Sequence, residues 1–172
     1  MSSWTKEIRY WINFLSKILK SELYNYQFVD IGCGKGKPIF IYSEMMKNIL
    51  KNVEYPPLGI DYSQNNIKIA DSNSLKLGLC DNLKPVFIND DAVNTVNYVR
   101  SKNLLLYLYN PFTGNTFKQF IKSLALYDCW LIYNNPTELS FLEKNNWLLK
   151  SYKKGGHPNT TSALFFKESN DY

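Results

Sequence analysis

The sequence predicts an α/β fold, a three-layer α/β/α sandwich in which helices cover both faces of a mostly parallel sheet. Three observations carry this prediction. Short apolar runs alternate along the chain with segments whose apolar residues recur at helical spacing. Residues 28–50 read as a strand, a glycine-rich turn and a helix, in that order. Residues 104–109 form an apolar run without polar alternation, which is typical of a central parallel strand buried on both faces.

The chain length and its apolar pattern predict a single domain. The 172 residues fall within the usual range for one domain, so we assign residues 1–172 to it. An N-terminal amphipathic helix is expected within residues 1–24, followed by a core at 26–167. The apolar residues of this helix recur every three or four positions, at Ile8, Trp11, Ile12, Leu15, Ile18 and Leu19. This pattern favours a helix packed on the sheet edge, and a lid or a membrane-surface helix is the alternative.

Composition excludes several classes of site. The three cysteines, Cys33, Cys80 and Cys129, lack CxxC spacing, so neither a disulfide framework nor a zinc site is indicated. We therefore expect no metal and a reduced, cytoplasmic setting. No apolar run approaches the roughly 20 residues of a membrane span. The net charge of +5 comes almost entirely from lysine, and we attribute it to residue bias rather than to sequence-specific nucleic-acid binding, for which arginine is the usual residue.

The glycine-rich turn after the first strand, Asp30-Ile31-Gly32-Cys33-Gly34-Lys35-Gly36, is the most informative segment. A phosphate-binding P-loop needs one more residue before its Gly-Lys pair and a hydroxyl residue after it, where this chain has Pro38. A dinucleotide fingerprint needs its third glycine at the position occupied by Lys37. Glycine at these positions would let backbone N–H groups close on a ligand.

The pattern Asp-x-Gly-x-Gly-x-Gly resembles motif I of the class I S-adenosylmethionine (SAM) dependent methyltransferases. The resemblance implies a Rossmann-like fold with a seven-stranded, mostly parallel sheet whose last strand is antiparallel. It also implies SAM as the cofactor, with its methionine part against this turn. The residues that it assigns to the cofactor here are Asp30, Gly32, Cys33, Gly34 and Gly36.

Two further strand ends extend the predicted cofactor site. Asp61 follows an apolar strand and lies 25 residues beyond Gly36 (61 − 36), close to the spacing of an acid that accepts hydrogen bonds from ribose hydroxyls. Tyr62 is a candidate for the adenine face. After the third strand, an acid followed by Ala92 resembles the pair that binds the adenine amino group in this family. We favour Asp91 for that contact, with Asp90 as the alternative or as a helix cap, and expect a short helix at 93–100.

Asn110, Pro111 and Phe112 follow the central strand and are the candidate catalytic residues. They resemble, in part, the Asn/Asp-Pro-Pro-aromatic motif of amino-directed methyltransferases, because the second proline is absent and the ring comes one position early. In that motif the Asn side chain accepts hydrogen bonds from the target amine. We also assign Asn110 to the cofactor contacts. Asn followed by Phe also resembles non-SET protein lysine methyltransferases. The alternative is an ordinary strand-ending turn.

The predicted function is therefore methyl transfer from SAM to an acceptor nitrogen, on a protein lysine or another amine. Two alternatives stay open, an RNA or small-molecule O- or N-methyltransferase and a catalytically inactive SAM-fold binding subunit. The C-terminal residues 147–167 read as a hairpin that closes the sheet, and its single histidine, His157, is interpreted as a surface residue. The oligomeric state is left open.

Overall fold

The computed structural model describes residues 3–79, 81–157 and 160–169. Seven strands form one sheet; in chain order they are β1 (Gln27–Ile31), β2 (Leu58–Asp61), β3 (Val86–Asn89), β4 (Asn103–Tyr109), β5 (Asp128–Asn134), β6 (Leu148–Lys153) and β7 (Ser162–Lys167). The α-helices of the described residues are α1 (Ser3–Leu19), α2 (Lys37–Ile49), α3 (Gln64–Lys76), α4 (Gly114–Ser123) and α5 (Leu139–Lys144). Short 3₁₀ helices span Lys20–Asn25, Asp81–Leu83 and Ala92–Asn97.

The strand order is β3-β2-β1-β4-β5-β7-β6, and all neighbours pair in parallel except β7, which is antiparallel to both β5 and β6. This confirms the predicted seven-stranded, mostly parallel sheet with its last strand antiparallel. The chain leaves β1 toward β2 and β3 and then returns to the other side of β1 as β4. That reversal is a topological switch point, where the carboxyl ends of two neighbouring strands open a crevice.

Helices cover both faces of the sheet and bury two apolar clusters. Helices α1, α2 and α3 pack on one face, where the largest buried side chains include Trp11, Phe28 and Tyr42. Helices α4 and α5 pack on the other face, around Phe117 and Phe120. Strand β4 contributes to both clusters, as its continuous apolar run predicted.

Helix α1 is tied to the C-terminal part of the sheet. The indole of Trp11 donates a hydrogen bond to Ser162 Oγ at 2.8 Å, and Ser162 Oγ donates in turn to Glu7 Oε2 at 3.2 Å. Lys153 forms a salt bridge with Glu7 at 2.7 Å. These contacts place the beginning of α1 beside the carboxyl ends of the parallel strands, and they support the prediction that the helix packs on the sheet.

The structure refines the sequence prediction for the segment after β3 and for the cysteines. The helix expected at 93–100 is a 3₁₀ helix that ends at Asn97, because the Asp91 side chain starts it by accepting from Val93 N–H and the segment that follows is poor in helix-forming residues. Cys33 and Cys129 are buried free thiols, whereas Cys80 lies outside the described residues. None of the helices among the described residues combines the length and the apolar character needed to cross a membrane.

Candidate functional site

The predicted cofactor residues meet at the switch point. A cavity of about 360 Å³ opens beside the carboxyl ends of β1, β2 and β3; its lining consists of Gly32, Ile60, Asp61, Tyr62, Asp90, Asp91, Ala92, Pro111, Phe112 and Thr116. Eight of the predicted site residues therefore line one cavity, although they come from four separate segments. We call this space the acidic cavity, because three carboxylates line it.

The glycine-rich turn is folded inward. Gly32, Gly34 and Gly36 have φ angles of 74°, 54° and 81°, the left-handed region that favours glycine. The N–H groups of Gly32 and Cys33 both donate to the Ile60 carbonyl, at 2.8 and 3.0 Å, and Gly36 N–H donates to the Cys33 carbonyl at 3.0 Å. The expectation that these N–H groups face a ligand is therefore wrong at those three positions, because strand β2 supplies the acceptor for Gly32 and Cys33 and the turn itself supplies the acceptor for Gly36.

Asp61 connects the turn to the start of α3. Its Oδ2 accepts from Gly34 N–H at 2.8 Å, and its Oδ1 accepts from Ser63 N–H at 2.8 Å. Asn66 Nδ2 lies 3.4 Å from the same Oδ1. A carboxylate has about four acceptor positions, so these donors orient the group and leave capacity for a ligand's hydroxyl group. Tyr62, the next residue, exposes 85% of its surface at the mouth of the cavity.

Asp90 and Asp91 make different contacts. Asp90 accepts hydrogen bonds from Tyr98 Oη at 2.5 Å, from Asn94 Nδ2 at 3.0 Å and from Asp91 N–H at 2.7 Å. These donors, Tyr98 above all, stabilise the carboxylate and lower the pKa of Asp90 from its usual value. Asp91 caps the following 3₁₀ helix through Val93 N–H. Both carboxylates line the acidic cavity, and Asp91 carries the smaller number of protein hydrogen bonds.

A second cavity, of about 450 Å³, lies on the other side of Gly32. Its lining consists of Asp30, Gly32, Cys33, Lys35, Lys37, Pro38, Tyr107 and Tyr109. Asp30 is 1% exposed, and its Oδ2 has no hydrogen-bond partner within the described part of the chain. Burial, aided by the negative charge of Asp61, raises the pKa of Asp30 well above its usual value. Burial likewise raises the pKa of Cys33, so its thiol stays neutral. We call this space the tyrosine cavity.

Gly32 and Pro111 separate the two cavities. A Cβ atom at residue 32 would lie 2.6 Å from Pro111 Cβ, so only glycine allows the turn after β1 to touch the segment after β4. Asn110 stands between Tyr109, which lines the tyrosine cavity, and Pro111, which lines the acidic cavity. It has a φ of 41°, which asparagine tolerates better than most residues.

The Asn110 amide is held by two hydroxyl groups from strand β5 and the turn after it. Its Oδ1 lies 3.1 Å from Thr137 Oγ1 and 3.5 Å from Tyr133 Oη. Thr137 N–H lies 3.4 Å from Tyr133 Oη, which joins the three residues in one network. The ring of Phe112 packs against Phe120 of α4, with centroids 5.8 Å apart, and lines the acidic cavity rather than the tyrosine cavity.

The described residues hold no group of three or more histidine, cysteine or acidic side chains that suits a metal ion. Nothing in that part of the chain contradicts the prediction of a metal-free site.

Several solved structures of similar fold are methyltransferases. The magnesium protoporphyrin IX methyltransferase of Synechocystis PCC 6803, with bound SAM, superposes with a TM-score of 0.67 at 13% identity, over 95% of this chain and 78% of the other. The methyltransferase domain of bacterial CtHen1-CN gives 0.63 at 15% identity, over 95% and 100%. TrmK of M. capricolum, with S-adenosylhomocysteine, gives 0.56 at 18% identity, over 86% and 63%.

The chain has the Rossmann-like methyltransferase fold. No protein-family model matches its sequence, and no curated protein is significantly similar to it. At these identities, the likeness to solved structures concerns the fold alone.

Within this methyltransferase fold, several site residues escaped the sequence analysis. Tyr98, Tyr133 and Thr137 contact predicted site residues through hydrogen bonds; Tyr133 and Thr137 lie 23 and 27 residues from Asn110, and Tyr98 lies eight residues from Asp90. Tyr107 and Tyr109 carried a usable signal, because they interrupt the aliphatic run just before the end of β4. Residues on alternate positions point to the same face of a strand, so the two rings had to lie together near the switch point.

Proposed function

We propose that this protein binds SAM at the switch point and transfers its methyl group to an acceptor nitrogen. The observation that carries the proposal is the pairing of the acidic cavity with an inward-folded glycine turn. Nucleotides with phosphates need N–H donors or basic side chains. Here the turn uses the N–H groups of Gly32, Cys33, Gly34 and Gly36 internally, and the lining of the acidic cavity supplies three carboxylates and no lysine or arginine.

The residues present suit an adenosyl sulfonium. Asp61 would accept from a ribose hydroxyl at its remaining acceptor position on Oδ2, while Tyr62 and Ala92 would lie at the adenine, with Asp91 accepting from the adenine amino group. The orphaned Oδ2 of Asp30, on the far side of Gly32, would accept from the methionine ammonium group. In this placement the ligand would pass alongside the contact between Gly32 and Pro111.

When bound, SAM supplies a methyl group on its sulfonium sulfur. The acceptor's lone pair would form the new bond to the methyl carbon, and the carbon–sulfur bond would break with its electron pair passing to sulfur. The acceptor's proton would pass to water. The protein's contribution is orientation and exclusion of water, for which effective molarities reach roughly 10⁵ M or more. Asn110 stands between the two cavities and would position the acceptor, with Thr137 and Tyr133 holding its amide. A protein lysine, another amine and an RNA base are the candidate carriers of that nitrogen.

Calorimetric titration tests the cofactor. We expect the protein to bind SAM and S-adenosylhomocysteine, and to bind ATP and NAD far more weakly. Replacing Asp61 by Asn removes charge-assisted hydrogen bonds, each worth roughly 1.5–3 kcal/mol, so Asp61→Asn should weaken S-adenosylhomocysteine at least about 10-fold. Asp71→Asn makes the same chemical change on the exposed surface of α3 and should leave binding unchanged. No heat of binding at millimolar S-adenosylhomocysteine would refute the proposal.

Methyl-labelled SAM tests the reaction. Incubation with histone-like lysine peptides, small amines, RNA and small hydroxyl compounds should place label on a nitrogen. Asn110→Ala should abolish transfer while S-adenosylhomocysteine binding persists. Binding without transfer to any acceptor class, in protein that also lacks SAM turnover in cell extract, would favour the inactive binding subunit instead.

A further inference from the structure

Acidic and basic side chains lie on opposite sides of Gly32 along the carboxyl edge of the sheet. On the β2 and β3 side, the acidic cavity carries Asp61, Asp90 and Asp91. On the other side of Gly32, the exposed Lys35 and Lys37 line the tyrosine cavity. The acid within that cavity, Asp30, is 1% exposed, and its raised pKa favours the neutral form.

The positive side continues along the edge to the last strands. A third cavity, of about 290 Å³, lies beyond β5; its lining consists of Asn135, Pro136, Lys154, Gly155, Gly156, His157 and Thr161. Next to it, Lys153 pairs with Glu7, whose side chain is 7% exposed. Glu138, the other acid at this end of the sheet, accepts from Gly114 N–H at 2.8 Å. We call Lys35, Lys37, Lys153 and Lys154 the lysine rim.

The lysine rim is long. It runs from the end of β1 across β4, β5 and β7 to the end of β6, which is four strand spacings, or about 19 Å. A single small anion cannot contact both ends of such a rim, whereas a chain of phosphates can. A cationic peptide would meet like charges at both ends of the rim, and this disfavours a lysine-rich protein tail.

The tyrosine cavity offers surfaces for a planar group. Tyr109 is half-buried and Tyr107 is buried, and both line the cavity beside Asn110. Stacking on aromatic rings is the usual way in which proteins hold an unpaired base.

From these observations we infer that the acceptor is a nitrogen of a nucleobase within a single-stranded polynucleotide, whose base enters the tyrosine cavity while its phosphates follow the lysine rim. This inference rests on the proposed function and names its substrate class. The methyl transfer is the step already written for an exocyclic amine, whose proton passes to water. A ring nitrogen without hydrogen would supply its lone pair in the same way, and the product would keep the positive charge that the sulfonium loses.

Fluorescence anisotropy tests the inference on the full chain saturated with S-adenosylhomocysteine. The probes are a labelled single-stranded RNA of mixed sequence, about 12 nucleotides long, and a DNA of the same sequence; a lysine-rich peptide is the competing ligand. We expect binding of at least one oligonucleotide that weakens with salt. The double variant Lys35→Ala/Lys154→Ala should raise Kd about 10-fold and flatten the slope of log K against log salt by about 1.4, or about 0.7 for each lost phosphate contact.

Matched control variants distinguish an effect of the lysine rim from an effect of the overall charge. The double variant Lys47→Ala/Lys76→Ala makes the same charge change in the last turns of α2 and α3, away from the carboxyl edge, and should leave Kd within about 2-fold. Tyr109→Leu should weaken binding about 5-fold or more, since stacking is worth roughly 1–3 kcal/mol for each base, whereas Tyr152→Leu on β6 should not.

Equal losses from both lysine pairs would overturn the inference, as would binding of the peptide in preference to both oligonucleotides. The calorimetric titration with S-adenosylhomocysteine, done on the same preparation, keeps the two proposals apart. If S-adenosylhomocysteine binds and neither oligonucleotide does, the substrate class is wrong and the proposed function stands. If S-adenosylhomocysteine does not bind, the proposed function fails whatever the oligonucleotides do.

Discussion

Replacing Gly32 by alanine perturbs a contact that joins the turn after β1 to the segment after β4. Residue 32 has a φ of 74°, which costs an alanine about 1–2 kcal/mol. Its new Cβ would lie 2.6 Å from Pro111 Cβ, and relieving such overpacking costs about 1–3 kcal/mol more. The free energy of unfolding should therefore fall by about 2–5 kcal/mol, which lowers Tm by about 4–20 °C in a chain of this size.

Gly78→Ala is the matched control, because residue 78 has a φ of 56° with open space around its missing Cβ. Both substitutions remove the same backbone freedom from the unfolded chain, so their difference reports the Pro111 contact. We expect Gly78→Ala to cost only about 1–2 kcal/mol and to leave S-adenosylhomocysteine binding intact. Thermal and urea unfolding give the stabilities, and calorimetry gives the affinities. Equal destabilisation by the two variants, with cofactor affinity unchanged in Gly32→Ala, would refute the assigned role of this contact.

Two further predictions follow from the titratable groups. Because the pKa of Asp30 is raised on folding, the unfolded chain binds fewer protons than the folded one between the two pKa values, and the wild type loses stability as pH rises through that window. Asp30→Asn cannot titrate, so it should gain stability relative to the wild type as pH rises above about 4, measured by urea unfolding. A constant stability difference across that range would contradict this reading of Asp30. Tyr98→Phe should raise the pKa of Asp90 toward its usual value, because the Tyr98 hydroxyl is the main donor that stabilises the carboxylate. Carboxyl NMR titration measures this pKa, and Tyr152→Phe serves as the control. An unchanged Asp90 titration would show that the hydrogen bond is absent in solution.

The sequence was sufficient for the parts of this protein that depend on local chemistry. The order of strands and helices follows from apolar periodicity, and the left-handed turn after β1 follows from glycine at alternate positions. The carboxyl ends of parallel strands necessarily meet at one edge, so placing Asp61, Asp90 and Asp91 at strand ends was enough to predict that they share a cavity with Gly32. No contact between distant segments had to be known for these predictions.

Tertiary structure decided the features that depend on partners far away in the chain. The N–H groups of Gly32 and Cys33 face inward because the Ile60 carbonyl on β2 accepts from both, and nothing near residue 32 in the sequence indicates that acceptor. Asn110 is held by Thr137, 27 residues later, through a hydrogen bond that depends on the pairing of β4 with β5. Phe112 turns toward α4 because an aromatic cluster on that helix buries its ring. Hydrogen-bond direction and side-chain packing are properties of the assembled sheet and helices, and no local pattern encodes them.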